Sequence, residues 1–131
     1  RDKRTDCFEG NTVPTTSIAA AQTYLLGLNY QTATIGSASW VNWRYRGYPW
    51  REGSIWRTGY NHLLPPNSPC WYSNGDWWQL VTPSSSFHPG GANVLFADGA
   101  VHFVTESVTP TVWNAIGTRA GNEVVNVADI N

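Results

Sequence analysis

His88-Pro89-Gly90-Gly91-Ala92-Asn93-Val94-Leu95-Phe96-Ala97-Asp98-Gly99 is the stretch that decides the fold of the C-terminal part of this chain. Asp-Gly between two apolar runs predicts a β-hairpin closed by a two-residue type I′ turn, because both central residues of that turn need positive φ and Asp and Gly tolerate it best. Such a turn sets Phe96 opposite Val101, Leu95 opposite His102 and Val94 opposite Phe103. Period two then predicts a buried face of Val94, Phe96, Val101 and Phe103, and a partly wet face of Asn93, Leu95, His102 and Val104. Upstream, His88-Pro89-Gly90-Gly91 reads as a tight reversal: proline fixes one φ and the glycines reach conformations closed to other residues.

Working outward, Thr109-Pro110 places an N-cap and a first-turn proline before Val112, Trp113 and Ile116, which predicts a short helix stopped by Gly117. A last strand is expected over Glu123 to Val127. On the other side, Trp77 to Thr82 reads as a strand, Ser84 to Ser86 as a turn, and Asn61 to Asp76 as a long Pro-rich loop of the kind that is functional or tied down. A strand is expected over Ser54 to Thr58. Trp40 to Tyr45 alternates as a strand does, and Gly47-Tyr48-Pro49 breaks it. Residues 29–39 read as an irregular connection with room for one edge strand. A helix is expected from near Pro14 to Leu26, with Gly27 as its stop and Ile18, Ala21, Leu25 and Leu28 at helical spacing.

These elements make an α+β fold with a small antiparallel sheet, a C-terminal Asp-Gly hairpin and short helices. The chain of 131 residues is the size of one domain, with an N-terminal arm and short helix over 1–39 and a β-rich part over 40–131. Charged residues are 13% and aromatics 14%, which argues against disorder and for a surface suited to contact. A net charge of −1 gives a nucleic-acid partner no overall electrostatic support. The charges are segregated, however: residues 40–60 carry Arg44, Arg46, Arg51 and Arg57 against Glu52, a net +3, and residues 61–131 carry Arg119 against Asp76, Asp98, Glu106, Glu123 and Asp129, a net −4. On different faces, those segments would let one copy dock on the next.

The hairpin stretch resembles the bacterial prepilin-like family named for a His-X9-Asp-Gly element, here His88, Pro89, Gly90 and Gly91 leading to Asp98 and Gly99. The likeness continues upstream in Arg46-Gly47-Tyr48-Pro49-Trp50, Thr58-Gly59-Tyr60-Asn61-His62 and Leu64-Pro65-Pro66-Asn67-Ser68-Pro69-Cys70, and downstream in Thr111 to Val125, so that it spans Arg44 to Val127. The resemblance implies a pilin-like globular head, export to the cell envelope or outside the cell, and a structural role without catalysis or cofactor. Members of that family begin with a basic leader and a long apolar helix. Here Arg1-Asp2-Lys3-Arg4 opens the sequence and no run approaches the ~20 apolar residues of a membrane span, so that helix was removed or this member never had one.

Cys7 and Cys70 match neither a metal pattern nor Cys-x-x-Cys. In an exported chain a single disulfide is their simplest use, with two buried thiols as the alternative.

His88, Asp98 and a serine from 84–86 carry the residue types of a hydrolase triad, but a hairpin tip and a residue ahead of the first strand do not converge, and no Gly-x-Ser-x-Gly elbow is present. His62, His88 and His102 lack metal-ligand spacing. The stronger functional candidate is aromatic. Seven of the eight tryptophans lie between Trp40 and Trp78, and Trp43, Tyr48, Trp50 and Trp56 sit beside Arg44, Arg46, Arg51 and Arg57. Trp, Tyr and Arg suit subunit contacts, and flat rings suit sugar stacking. The sequence therefore points to self-association into a filament or surface assembly, with carbohydrate binding by the Trp-rich face as the alternative.

Overall fold

The computed structural model describes residues 4, 6–10, 13–32, 34–35, 51, 53–54, 58–73 and 76–130. Its order is β1 (Cys7–Gly10), α1 (Ile18–Leu26), β2 (Thr34–Ile35), β3 (Cys70–Ser73), β4 (Asp76–Val81), β5 (Gly91–Leu95), β6 (Val101–Thr105), α2 (Pro110–Ile116) and a 3-10 turn over Val127–Asp129. The fold is α+β, as expected. Among the described residues no helix is long and apolar enough to cross a membrane.

One sheet runs β2-β1-β3-β4. It is mixed and not purely antiparallel: β1 pairs parallel with β3, placing Cys7 beside Cys70 and Phe8 beside Trp71. Parallel strands need a crossover, and here the crossover includes α1 and β2. Cys7 and Cys70 form a disulfide across that pair, with Cα atoms 4.4 Å apart. β3 also corrects the loop expected over 61–76, since Cys70–Ser73 pairs antiparallel with β4.

α1 starts later than Pro14 suggests. Ser17 is extended at φ −163° and its hydroxyl accepts from the Ala20 amide at 3.1 Å, so the cap lies at Ser17 and the residues before it stay outside the helix. Ala21, Gln22 and Leu25 are buried, whereas Ile18 is exposed. Ala21 and Leu25 join Val13, Leu64, Trp71 and Val81 in one apolar cluster.

The second sheet is the hairpin β5-β6, and its register differs by one residue from the expected one. Leu95 faces Val101, Val94 faces His102, Asn93 faces Phe103 and Ala92 faces Val104. The cause is the turn. Gly99 donates to the Phe96 carbonyl at 3.0 Å, Phe96 donates to the Ala100 carbonyl at 2.8 Å, and Gly99 sits at φ 87°. That is a three-residue loop with a left-handed glycine, in place of a two-residue turn. One added loop residue flips every β6 side chain. Ala92, Val94 and Val104 are therefore buried, while Leu95, Val101 and Phe103 face outward. α2 matches its expectation, with the Thr109 hydroxyl accepting from Val112 and Pro110 in the first turn. Trp113 on α2 is fully buried with Val94, Val104, Val108 and Ile130 in a second cluster.

Most of the strand expected over 54–58 falls on residues 55–57, which lie outside the described residues; the Ser54 carbonyl accepts from the amides of Thr58 and Gly59 at 3.0 and 3.1 Å. The last expected strand, over 123–127, is corrected. The tail over 123–127 is irregular, with Val124 exposed, and reaches the hairpin through one bond from the Thr105 amide to the Ile130 carbonyl. The strand-like segment 40–45 lies outside the described residues.

Candidate functional site

The His-X9-Asp-Gly residues occupy the two ends of β5. At the far end the Asp98 carboxylate accepts from the Ala100 amide at 2.9 Å and holds the turn. At the near end Gly90 is left-handed at φ 82°, and its carbonyl accepts from the Glu106 amide at 2.8 Å. A Cβ at Gly91 would overlap the Val104 carbonyl, so only glycine lets the two strands approach there. Five strand residues separate the ends, or ~16 Å at 3.3 Å each, and His88 and Asp98 do not meet. The His88 amide donates to the Ser86 hydroxyl at 3.1 Å, and its ring is exposed.

Asn67, quoted above only as part of a motif, locks this corner. It is buried at φ 61° and its amide donates to the Ser84 carbonyl at 2.9 Å. Its side-chain oxygen accepts from Ser86 at 2.9 Å, and its side-chain nitrogen donates to Glu106 Oε2 at 3.2 Å and the Gly91 carbonyl at 3.5 Å. One side chain thus joins the Pro-rich loop, the turn before the motif, the start of β5 and the residue that follows β6. An asparagine inside a Pro-Pro-Asn-Ser-Pro run, a residue type that tolerates positive φ, was the available sequence signal.

Beside this corner lies a groove of about 610 Å³, lined by Phe8, the Leu28–Gln31 turn, Pro69, His88–Gly90 and Glu106. Tyr30 donates its hydroxyl to the Leu25 carbonyl at 2.7 Å and packs edge-on against Phe8. Burial, with the nearby Tyr24, pushes the Tyr30 phenol up to about 12. The Arg4 guanidinium lies 4.8 Å from the ring centre of Phe87.

A second aromatic group ties the two clusters together. His62 stacks on Trp113 at 4.2 Å, its Nδ1 lies 3.0 Å from the Trp113 carbonyl, and the Asn114 side-chain nitrogen Nδ2 donates to the His62 carbonyl at 3.0 Å. Burial lowers the His62 pKa, and the bond to the Trp113 carbonyl opposes that shift. Gln22 on α1 donates its side-chain nitrogen to the Leu63 carbonyl at 3.0 Å and to the Pro110 carbonyl, at the start of α2, at 3.5 Å.

Of the residues expected at a contact, Trp43, Arg44, Arg46, Tyr48, Trp50, Trp56 and Arg57 lie outside the described residues; Arg51 is exposed. Trp71, from the same Trp-rich region, is core. Among the described residues Ile18, Phe87 and Val124 are exposed on other elements, and the exposed apolar residues that share one sheet face are on the outside of the hairpin, where Leu95 is 69% and Val101 63% exposed, with Phe103 beside them at 38%. Sequence reading missed it because the register shift exchanged Val101 and Phe103 for His102 and Val104.

No curated protein and no solved structure matches this chain. A family model matches residues 2–111, which takes in the N-terminal arm that the motif resemblance left out and stops short of the C-terminal ending that it included. With that match over most of its length, the chain belongs to the family of proteins of unknown function designated SBP_bac_10 (DUF1559).

Proposed function

We propose that this protein is a non-enzymatic subunit of an exported assembly, built in the manner of pilins and pseudopilins, and that it associates with further copies through the outer face of its C-terminal hairpin. The observation that carries this reading is the cross-strand pair Leu95 and Val101 with Phe103 adjacent, all on the solvent side of a two-stranded sheet. Apolar residues gathered on one exposed face mark contact surfaces more often than scattered ones do. The disulfide suits an oxidising compartment. The His88 to Gly99 resemblance supplies the pilin-type context, and the opposed net charges of 40–60 and 61–131 favour contact between unlike surfaces. Unlike surfaces meeting head to tail generate an open polymer unless the rotation closes into a ring.

Sedimentation velocity over a concentration series tests this. The wild-type chain should form oligomers or polymers, and Leu95→Ser with Phe103→Ser should shift association to at least tenfold higher concentration while the circular dichroism spectrum is retained. A strict monomer at high concentration, with no polymers in micrographs of native material, would remove the reading.

A further inference from the structure

Folding leaves the His88 ring without a task. Pro89 and Gly90 set the reversal through their own backbone angles, and the bond to Ser86 uses the His88 amide. The ring is exposed, and no hydrogen bond to it occurs among the described residues. It stands instead at the edge of the groove of about 610 Å³, a size ordinary for small-ligand sites.

We infer that this groove binds a short neutral saccharide, with Asn29, Gln31, His88 and Glu106 around the sugar hydroxyls and Tyr30 with the flanking prolines against the apolar face of the ring. Charge is the first argument. Among the described lining residues the only charged side chains are Arg4 and Glu106, of opposite sign, which does not favour a phosphate or a polyanion. Hydrogen-bond chemistry is the second. Carboxamides carry both donors and acceptors, the imidazole adds two ring nitrogens, and Glu106 adds acceptors. A ligand that answers such a set is one whose polar groups both donate and accept, which is the property of a hydroxyl. Leu28, Pro69 and Pro89 supply rigid apolar surface between those polar groups, and sugar rings present C–H faces between their hydroxyls.

Rigidity is the third argument, because a site that is already ordered loses less on binding. Asn67 in the groove lining is fixed by bonds to Ser84, Ser86, Gly91 and Glu106. Tyr30 is fixed by Leu25 and Phe8.

The test is an NMR titration of the whole chain with cellotriose, triacetylchitotriose and mannotriose, and with inorganic phosphate for comparison. At least one neutral trisaccharide should shift the amides of residues 28–31, 88–90 and 106 saturably. Gln31→Ala and His88→Ala should each weaken binding about tenfold, the loss of roughly one good hydrogen bond, and His88→Ala should leave the thermal midpoint unchanged. The association-deficient Leu95→Ser, Phe103→Ser chain should bind the same sugar equally well, which separates this inference from the proposed assembly. Shifts only with phosphate, shifts mapping elsewhere, no shifts with any of the three sugars, or binding indifferent to Gln31→Ala would each overturn it.

Discussion

The sheet β2-β1-β3-β4 and the hairpin β5-β6 solve the same problem in opposite ways. The larger sheet joins residues far apart in sequence: β1 lies against β3 with a separation of 63 residues between the disulfide partners. The hairpin region is assembled from neighbours, and the strands, α2 and Ile130 that enclose Trp113 all come from the last part of the chain. Non-local pairing incurs loop-closure entropy before it gains contacts, whereas local pairing does not. A covalent bond offsets that loss where it is largest, and the hairpin region relies on turn geometry and one buried tryptophan. His62, Gln22 and Asn67 then tie the two halves to one another.

The largest expected effect breaks the comparison at the disulfide. Cys7→Ser with Cys70→Ser should destabilise the chain by up to about 4 kcal/mol, the chain-entropy value for a loop of this length. Hydrogen exchange should show lost protection in β1 and β3 well before β5 and β6. Equal loss in both regions would mean that the halves unfold as one unit.

Asn67→Ala comes next, at about 2 kcal/mol, because it removes the side-chain bonds to Ser86, Glu106 and Gly91 and places a Cβ residue without local hydrogen bonding at φ 61°. Asn67→Gly should recover the backbone part alone. Denaturant midpoints of the two variants therefore divide the cost between conformation and hydrogen bonding.

In the hairpin turn, Gly99→Val should cost about 1–2 kcal/mol, since a β-branched side chain is strained at positive φ. Ala100→Val should cost far less by thermal melting. Asp98→Asn should be nearly silent, because a carboxamide oxygen accepts from the Ala100 amide as the carboxylate does.

The smallest effect is a pH dependence. Burial holds the folded-state pKa of His62 below its ordinary value of 6.5. The unfolded chain therefore takes up the proton first as pH falls, so stability is full above that value, declines as pH drops through it, and levels off below the folded pKa. His62→Gln should flatten that part of a stability-against-pH curve, and an unchanged slope would return the effect to other groups.

Legibility followed the same division between local and distant pairing. Thr109-Pro110 and Gly117 bound α2 because capping is written in adjacent residues. The β3-β4 pair also had a local signal, Asn74-Gly75 between apolar runs, but the surrounding prolines made 61–76 read as one loop. The parallel β1-β3 pairing had no such signal, since nothing in the sequence near Phe8 names Trp71 as its neighbour. The α1 start was misplaced because Pro14 and Ser17 both suit a helix beginning, and the extended backbone at Ser17 chose between them. Of the groove, His88, Pro89 and Gly90 stood out as a motif, whereas Asn29, Gln31 and Glu106 reach it only through folding.

Every assignment to the outer hairpin face depends on one register, and cross-strand NOEs measure it directly. With Phe96 and Ala100 hydrogen-bonded, alternation makes Leu95/Val101 and Asn93/Phe103 the close non-hydrogen-bonded pairs. Strong Hα–Hα NOEs between those two pairs are the predicted result. Hα–Hα NOEs between Phe96 and Val101 and between Val94 and Phe103 would contradict it, return Val101 and Phe103 to the buried face, and remove the contact surface on which the proposed assembly rests.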